Sequence, residues 1–396
     1  MGDPMNGRAA IVGIGETEYR KWGQITDRTE FRLAIEAILA AIADAGLRTQ
    51  DVDGISSFSN DRNEAVLVAT ALGLPRLRFA EMSWIPGGGG ACAAIGNAAM
   101  AIASGMADCV VVFRAIAMGQ FRRFGRALAS ESGKPWDAEL SFALPFGLSN
   151  ATIGMAILVR RHMHLYGTTP RQLGAVAVAF RKHANRNPRA VMYAKPLTLE
   201  THAESRLIAD PFRLLDCCLE TDGACAIVMT SAERARDLRQ RPARVLSAAQ
   251  GTGPASGLGA WASHYLPDED YATGWGRTVA EDLYRKTGIG PGDVDVAEIY
   301  DHYSGMVIHQ LEDFGFAKRG EGGPFVESGA IEGPSGALPV NTHGGSLSEA
   351  YIHGLNHVVE GVKQLRGVST CQVPDAEVCL VTSGAGIPTS AVLLGR

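Results

Sequence analysis

Two glycine-rich turns are the features of the sequence that point most directly to chemistry. Residues 87–90 are four glycines before a run of small residues, and Gly344 and Gly345 precede a second, more apolar run. A glycine turn at a helix start presents unpaired backbone N–H groups at the positive end of the helix dipole. The pair of turns therefore indicates anion or oxyanion sites. The competing interpretation is tight helix–strand packing that merely needs glycine.

The sulfur and imidazole groups give weaker signals. Seven cysteines without a C-x-x-C pair argue against a disulfide framework or a zinc knuckle. Cys92 lies in the small-residue run and is expected to pack inside a helix. His353 and His357 are four residues apart, which is metal-like spacing on a helix. No carboxylate or third ligand is obvious, so we favour a structural role and predict no metal site.

The elements that must position these turns begin at the N-terminus. Residues 9–15 read as a buried strand, and residues 30–46 read as a helix with apolar residues at three- and four-residue steps. Asp27 and Glu30 are the expected N-cap and acidic first turn, with Gly46 as the stop. Residues 51–59 follow as a short strand.

The same order returns in the second half of the chain. A strand at 243–251, a helix at 276–290 and a strand at 293–301 repeat the first unit. Each glycine turn is also followed by a helix and then a strand, the second of these spanning 343–365 and 376–386. This pattern predicts two similar α/β halves packed together, with the turns approaching each other, although common α/β phrases can also match by chance.

An insertion separates the two halves. Residues 118–210 are richer in arginine and histidine and are expected to cap one face of the core. Residues 222–233 return to a buried-strand composition and should close the first sheet. The predicted organisation is an N-terminal half at 1–117 plus 211–240, a cap at 118–210 and a C-terminal half at 241–396.

Composition narrows the class of protein. Of 396 residues, 46% are hydrophobic and 20% are charged, which indicates a large core. A net charge of −5 argues against a general nucleic-acid binder. No apolar run approaches the ~20 residues that span a bilayer, and the N-terminus lacks a secretory pattern. We therefore expect a cytoplasmic protein without membrane contact.

The element order, with a glycine turn and a small-residue helix in each half, resembles the thiolase superfamily over nearly the whole chain. The resemblance is closest to the sterol-carrier-protein-x type, through LLDCCLETDGACAIVM, AEIYDHYSGMVIHQLEDFGF and VNTHGGSLSEAYIHG. It implies a duplicated thiolase fold with a five-layer αβαβα core and a loop-domain insertion.

The chain departs from that family at its reactive positions. The nucleophilic Cys of thiolases lies twenty positions before the Asp of the A-D-C strand entry, and that position is Gly88. The His of the family's G-H-P motif is Tyr351. The H-D-C-F motif reads Tyr300-Asp301-His302-Tyr303, so its His is Tyr300 and its Cys is His302. Without a sulfur to hold an acyl group, thiolase acyl transfer is not available by that route.

The remaining groups suit aldol chemistry on a CoA thioester. A base removes a β-hydroxyl proton, the Cα–Cβ bond breaks and an oxyanion hole collects the enolate. A phenol has a pKa of about 10, so a tyrosine base needs a lowered pKa or a proton relay through His302 or Asp301. Backbone around Gly88, Gly89, Gly344 and Gly386 would hold the thioester oxygen. His343 would polarise it or cap the turn.

The pattern resembles the thiolase-like retro-aldolases of bacterial steroid side-chain degradation. That resemblance implies Tyr300 and Tyr351 as the catalytic pair, a β-hydroxy steroid-CoA substrate, and a 17-keto steroid and propionyl-CoA as products. It also implies a homodimer joined by a small OB-fold and zinc-ribbon partner in a heterotetramer. CoA enters as part of the substrate, and no separate bound cofactor is expected.

Three points stay open at this stage. The CoA phosphates would suit Arg122, Arg123 and Arg126, but a solvated loop face is the favoured interpretation of that cluster. The functional alternatives are an inactive thiolase-fold subunit that binds acyl-CoA or scaffolds a complex, and an acyl-CoA thiolase or condensing enzyme. Our provisional assignment places Tyr351 toward the hydroxyl and Tyr300 toward Cα.

Overall fold

The computed structural model describes residues 7–59, 61–83, 85, 87–121, 144–253, 270, 273–386 and 389–396. Its strands are β1 (Ala9–Glu16), β2 (Arg20–Lys21), β3 (Gly54–Phe58), β4 (Phe79–Ser83), β5 (Cys109–Ala117), β6 (Leu207–Ala209), β7 (Phe212–Arg213), β8 (Thr221–Ser231), β9 (Ala243–Gly251), β10 (Val296–Glu298), β11 (Val378–Ser383) and β12 (Thr389–Gly395).

The α-helices within the described ranges are α1 (Glu30–Ala45), α2 (Ala65–Leu72), α3 (Ala91–Ala103), α4 (Ala151–Tyr166), α5 (Pro170–Ala184), α6 (Leu199–Glu204), α7 (Ala232–Ala235), α8 (Arg277–Thr287), α9 (Ser304–Asp313), α10 (Gly322–Glu327), α11 (Gly345–Ser348) and α12 (Leu355–Arg366). A 3₁₀ turn over Gly87–Gly90 leads directly into α3.

The first helix shows how local signals place an element. α1 buries Leu33, Ala37 and Ile38 on one face. Its N-cap is Thr29, whose side chain accepts the Arg32 N–H at 3.1 Å, so the predicted Asp27 cap is wrong. A hydroxyl cap is typically worth ~1 kcal/mol. Gly46 ends the helix at φ 73°, as predicted.

Strands from both halves of the chain are hydrogen-bonded along one path. Strand order along the main path is β10-β11-β12-β9-β1-β8-β5-β3-β4. Each half contains a parallel pair followed by antiparallel neighbours: β3-β5-β8-β1 in the first and β10-β11-β12-β9 in the second. The first half adds β4, parallel to β3. The halves meet where β1 pairs with β9 at two positions, Ala10 with Arg244 and Ile11 with Ala243. The predicted duplication is confirmed.

Three apolar clusters separate five layers of structure. The cluster containing Leu33 and Val68 lies between the first half's sheet and helices α1 and α2. The central cluster joins α3 and α12 to strands of both halves. The third cluster, with Val279 and Met306, lies between the second half's strands and helices α8 and α9. These layers form the αβαβα core that the resemblance to thiolases implies.

The described part of the predicted insertion is mainly helical. Val159 of α4 and Leu173 of α5 lie against Gly305 of α9, where even a Cβ would meet Val159 at 2.7 Å. These helices therefore cover the outer layer of the second half. Residues 122–143 lie outside the described ranges, and the domain boundaries stay a prediction.

The second glycine turn differs from the first. Residues 343–365 form the short α11, an irregular segment at 349–354 and then α12. The first helical turn ends at Ser348, and positive φ angles at His353 (50°) and Gly354 (86°) keep the segment from joining α12 as one helix. The single helix predicted for this stretch is therefore wrong, and Tyr351 and His353 lie before α12. No helix in the described ranges is both long and apolar enough to cross a bilayer.

Candidate active site

Two tyrosine hydroxyls lie together at the boundary between the halves. Tyr300 follows β10, Tyr351 lies in the irregular segment before α12, and their hydroxyl oxygens are 2.6 Å apart. Both side chains are buried, together with Ile116 and Met118 from β5 and the turn after it. The structure thus brings together two residues that the sequence separates by 51 positions.

The backbone of Tyr300 is held by a closed set of hydrogen bonds. Its N–H donates to Thr382 Oγ1 at 2.9 Å, and that hydroxyl donates to Gln310 Oε1 at 2.7 Å. Gln310 Nε2 donates to the Tyr300 carbonyl at 2.7 Å. Asn341 also clamps Ile299, the preceding residue, by accepting its N–H and donating to its carbonyl. The phenol therefore projects from a rigid position.

Tyr351 is fixed by the opposite half of the molecule. Its N–H donates to Thr221 Oγ1 at 3.0 Å, and that hydroxyl donates to the Tyr351 carbonyl at 3.1 Å. Thr221 begins β8, so a first-half strand sets the position of a second-half phenol. Neither threonine was singled out in the sequence, where a polar residue in a buried strand is a weak signal.

The phenol of Tyr300 lies against Gly88, the position at which the resemblance places the nucleophile of thiolases. A Cβ built at Gly88 would lie 2.0 Å from Cζ of Tyr300 and 2.1 Å from its hydroxyl oxygen. Gly354 lies against the same ring, where a Cβ would be 3.1 Å from Cδ2. The glycine at position 88 and the tyrosine at position 300 are thus sterically coupled, because a side chain at 88 and this ring exclude each other.

The electrostatic surroundings of the two phenols differ. Burial raises the pKa of Tyr300 far above 10, although its hydrogen bond with Tyr351 lowers it. Burial also raises the pKa of Tyr351, as do the neighbouring Tyr300 and the hydrogen bond between the phenols, while the Arg114 guanidinium lowers it. The surroundings therefore keep both phenols protonated, which leaves a proton relay rather than a lowered pKa as the route to a tyrosine base.

The two predicted relay residues face different ways. Asp301 accepts the N–H groups of Ser346 and Leu347 at 2.8 and 3.1 Å, so its carboxylate is directed to the second glycine turn. The ring of His302 lies 5.0 Å from that of Tyr300. Burial lowers the pKa of His302 to about 4, which leaves a neutral imidazole beside the phenols. Of the two, His302 is the one placed next to the pair.

A buried chain of ionisable groups lies behind the site. His343 Nδ1 is 3.0 Å from Glu298 Oε2, His343 Nε2 is 3.1 Å from His357 Nδ1, and His357 Nε2 is 3.1 Å from Asp301. Burial lowers the pKa of His343, but Glu349 and Glu298 outweigh it and raise the pKa to about 10. His343 is thus an imidazolium that balances buried carboxylates.

The same chain contains the set of described residues whose ligand atoms could surround a metal. Glu298, His343 and His357 each offer one ligand atom within 4.8 Å of the others. Each ring nitrogen already faces a carboxylate or the other ring within 3.1 Å. Attraction between the imidazolium and the carboxylates therefore accounts for the contacts, and His343 is directed into this chain rather than at the phenols.

The glycines predicted to hold an oxyanion have distinct surroundings. The hydroxyls of Ser383 and Ser390 cap α3 by accepting the N–H groups of Ala91 and Ala93 at 3.1 and 3.0 Å. The same hydroxyls donate to the carbonyls of Gly88 and Gly89. Since these serines lie in β11 and β12, the second half seals the first half's glycine turn.

The other glycine candidates have neighbours other than the phenols. The N–H of Gly386 donates to the Gly274 carbonyl at 3.2 Å. Gly344 lies against Ala184 of α5, where a Cβ would be 2.7 Å from that methyl group. Each glycine turn packs against one of two consecutive residues. Gly88 lies against Tyr300, and Gly345 lies against Asp301.

The remaining predicted groups add no nucleophile. Cys92 is buried in α3, its thiol donates to the Val381 carbonyl, and burial raises its pKa well above the ordinary value. This matches the packing role expected for it. Arg122, Arg123 and Arg126 lie outside the described residues.

Sequence reasoning missed a charged group that contacts the site. Arg114 lies in β5, is 4% exposed, and donates from Nε to His353 Nδ1 at 3.1 Å. The ring of His353 is 5.1 Å from that of Tyr351 and nearly perpendicular to it. An arginine inside the otherwise apolar strand CVVVFRAIA was the available signal, because an unpaired buried charge is costly.

Known families, proteins and solved structures share sequence and fold with this chain. Residues 257–394 match the family described as thiolase C-terminal domain-like. The chain is 48% identical over 393 residues to the 17-hydroxy-3-oxo-4-pregnene-20-carboxyl-CoA lyase of Mycobacterium tuberculosis, covering 99% of this chain and 100% of that protein. It is 44% identical over 394 residues to the steroid side-chain-cleaving aldolase of Thermomonospora curvata, covering 98% of each. A solved structure described as an Ltp2-ChsH2(DUF35) aldolase superposes with a TM-score of 0.91 at 43% identity, covering 100% of this chain and 99% of that one.

Proposed function

The chain belongs to the thiolase superfamily, and from that premise we propose that it is a retro-aldol carbon–carbon lyase. Its substrate is a β-hydroxy acyl-CoA thioester on a 17-hydroxy steroid side chain, and its products are a ketosteroid and propionyl-CoA. The observation that carries the proposal is the phenol pair, with hydroxyls 2.6 Å apart, beside a glycine in place of a thiol. Relatives at 48% and 44% identity bear names that describe this cleavage.

The reaction removes one proton from the 17-hydroxyl oxygen and adds one proton to Cα. Both phenols start protonated, so Tyr351 takes the proton of the 17-hydroxyl while its own proton passes across the hydrogen bond to Tyr300. The bond between Cα and Cβ breaks in this step, and the oxygen becomes the ketone. The electrons of that bond pass to the thioester as its enolate. Tyr300 then donates a proton to Cα. The hydrogen bond between the phenols lets the proton gained by Tyr351 replace the one that Tyr300 loses, so no outside acid or base is consumed.

The enolate needs donors aimed at its oxygen. The first glycine turn, at Gly88 and Gly89, is the candidate nearest to the phenols, because Gly88 lies against the ring of Tyr300. Its carbonyls are held by Ser383 and Ser390, which fixes the peptide planes of the turn. CoA enters and leaves as part of the substrate and product, and the step requires no separate cofactor or metal.

The proposed assembly is a homodimer joined by small partner proteins in a heterotetramer. The two components named in the similar solved structure support a DUF35 partner. β4 ends the sheet path as an edge strand, and Phe79 and Glu81 in it are half-buried. An open edge suits a second copy. We place the enzyme in the cytoplasm with an OB-fold and zinc-ribbon partner.

A direct assay tests the proposal. The chain is co-expressed with a DUF35-type partner and incubated with a 17-hydroxy steroid side-chain CoA thioester, and propionyl-CoA and ketosteroid are measured. Tyr300→Phe and Tyr351→Phe should each lower kcat by ~10²–10⁴-fold, the usual contribution of a general acid or base. Tyr303→Phe is the matched control, because its hydroxyl bonds Thr152 at 2.8 Å instead of the pair.

Two results would contradict the lyase. Equal turnover in all three phenylalanine variants would mean that the pair does no proton transfer, as expected for a subunit that only binds acyl-CoA. An acyl group trapped covalently on a cysteine would restore thiolase chemistry.

A further inference from the structure

His302 is an imidazole beside the phenols that is only 9% exposed, and its Nδ1 has no hydrogen-bond partner among the described residues. Its ring packs against two tyrosine rings, 5.0 Å from that of Tyr300 and 4.9 Å from that of Tyr303. Its carbonyl accepts the Cys218 N–H at 2.9 Å, which anchors the backbone to the first half. A buried polar atom without a partner costs free energy, so its presence at this site needs an explanation.

The ring of His302 is neutral, and its lone pair lies on Nδ1. Burial lowers the pKa of His302 to about 4, against Asp301 and a hydrogen bond with the Ala385 backbone, which both raise it. Because the bond with Ala385 raises the pKa, the ring is the donor in it, and a neutral imidazole has one donor nitrogen. Nδ1 has no partner, so the donor is Nε2. Nδ1 is therefore able to accept a proton.

The relay between the phenols requires a third group. When Tyr351 takes the 17-hydroxyl proton and passes its own to Tyr300, Tyr300 would carry two protons unless it released one in the same step. Cα can accept a proton only after the bond between Cα and Cβ has broken. One proton must therefore be held elsewhere while the enolate exists.

The other candidate acceptors that the structure describes around the phenols are already engaged. His353 Nδ1 accepts from Arg114 Nε at 3.1 Å. Both ring nitrogens of His357 lie 3.1 Å from another ionisable group. Asp301 accepts two N–H groups of the second glycine turn. Cys218 is a protonated thiol, because burial raises its pKa well above the ordinary value. The imidazole with the unpartnered nitrogen is the acceptor that is left.

We propose that His302 holds a proton on Nδ1 between the two steps of the retro-aldol reaction. This inference rests on the proposed function and deepens it. As Tyr351 passes its proton to Tyr300, the original O–H bond of Tyr300 breaks and an N–H bond forms at Nδ1. Tyr300 then protonates Cα and regains its proton from His302, so all three residues end as they began.

The charges that develop in the reaction favour this transfer. The imidazolium forms in the same step as the enolate, and a nearby negative charge stabilises the protonated form of a histidine. The proton is thus held weakly before cleavage and more strongly while the enolate exists. The ring and the Tyr300 hydroxyl need not be hydrogen-bonded without substrate, because catalytic hydrogen bonds often tighten only when it binds.

Two variants of the complex with its partner separate proton holding from packing and from simple hydrogen bonding. His302→Phe keeps a ring against the tyrosines but has no lone pair, whereas His302→Asn keeps a hydrogen-bond acceptor that is not basic. Each should lower kcat by ~10²–10⁴-fold, while the affinity for propionyl-CoA stays unchanged. His309→Phe is the matched control, because that imidazole is also buried without partners for its nitrogens but packs on His162 at 4.6 Å.

A second measurement needs no steroid. The complex is incubated with propionyl-CoA in D₂O, and deuterium at Cα is measured by mass spectrometry. Tyr300 takes a proton from Cα as its own passes to His302, which exchanges it with solvent. The unchanged complex and His309→Phe should therefore incorporate deuterium, and both His302 variants should incorporate it ~10²–10⁴-fold more slowly.

Near-normal kcat in His302→Phe would reduce the residue to a packing role, and near-normal kcat in His302→Asn would reduce it to a hydrogen-bond acceptor. Either result overturns the inference, so one folded variant is enough to test it. Absence of lyase activity in the unchanged complex would instead remove the proposed function. Deuterium exchange that depends on His302 would then still support proton holding, whereas exchange that is equal in all variants, or absent from the unchanged complex, would overturn it.

Discussion

Adding one methyl group at Gly88 should disable the site while leaving most of the fold in place. In Gly88→Ala the new Cβ would lie 2.0 Å from Cζ of Tyr300, whereas ordinary van der Waals contact begins near 3.4 Å. The ring must therefore retreat by about 1.4 Å, the difference between those distances. Because O–H···O hydrogen bonds span only about 2.5–3.0 Å, a displacement of that size disturbs the 2.6 Å bond between the phenols.

The expected loss follows from that displacement. A misplacement of ~1 Å at a reacting group typically costs about 10²-fold in rate. We therefore expect kcat for propionyl-CoA release to fall by about 10²-fold, with an overpacking penalty of ~1–3 kcal/mol in the free energy of unfolding. Gly96→Ala is the matched control on α3, because its Cβ would lie 3.0 Å from the Ala248 methyl group, far from the phenols.

A double-mutant cycle decides whether the effect acts through Tyr300. If the methyl group works by displacing the Tyr300 hydroxyl, adding Gly88→Ala to Tyr300→Phe should lower kcat little further. Full additivity of the two losses would refute the coupling. Near-normal turnover in Gly88→Ala, with a crystal structure showing Tyr300 unmoved, would refute the steric argument itself.

Three further predictions concern the phenol pair and its supports. The double variant Tyr300→Phe/Tyr351→Phe should lose little more kcat than the worse single variant, because the two hydroxyls act as one unit; multiplied losses would contradict a shared proton path. The pKa of His343 is raised from 6.5 to about 10, so its stabilisation is complete below pH 6.5 and disappears as the pH rises through 10. Thermal unfolding of His343→Gln should accordingly vary less than that of the unchanged protein between these pH values, and parallel curves would count against the buried imidazolium. Thr382→Val should lower the free energy of unfolding by ~1–3 kcal/mol, because the Tyr300 N–H loses its acceptor, whereas Thr382→Ser should keep it; urea denaturation measures both.

Element order and the duplicated fold were predictable because they depend on local patterns. Apolar periodicity marks α1, glycine stops mark helix ends, and the strand–helix–strand phrase recurs with the same order in both halves. The errors were local as well. The N-cap of α1 is Thr29 instead of Asp27. The helix predicted after the second glycine turn is interrupted at residues 349–354, which include positive φ angles at His353 and Gly354.

The pairing of Tyr300 with Tyr351 came from register with a known family, not from the residues themselves. Nothing in their spacing indicates hydroxyls in contact. Arg114 shows what was overlooked: a charge within an apolar strand needs buried partners, and this one has Asp61 and His353. The strand composition signals that partners exist, but they lie 53 and 239 positions away.

Chain composition and periodicity were enough to indicate the two halves and their core faces, because helices and strands bury apolar faces through contacts near in sequence, whereas the missing thiol came from register with the thiolase family. Only the tertiary structure determines three further contacts. The Tyr300 ring packs beside Gly88, Asp301 faces the second glycine turn, and Arg114 of the first half contacts His353, which lies beside Tyr351. Those contacts arise where the two halves meet, and the register of that interface depends on packing and on buried charge pairing between distant segments.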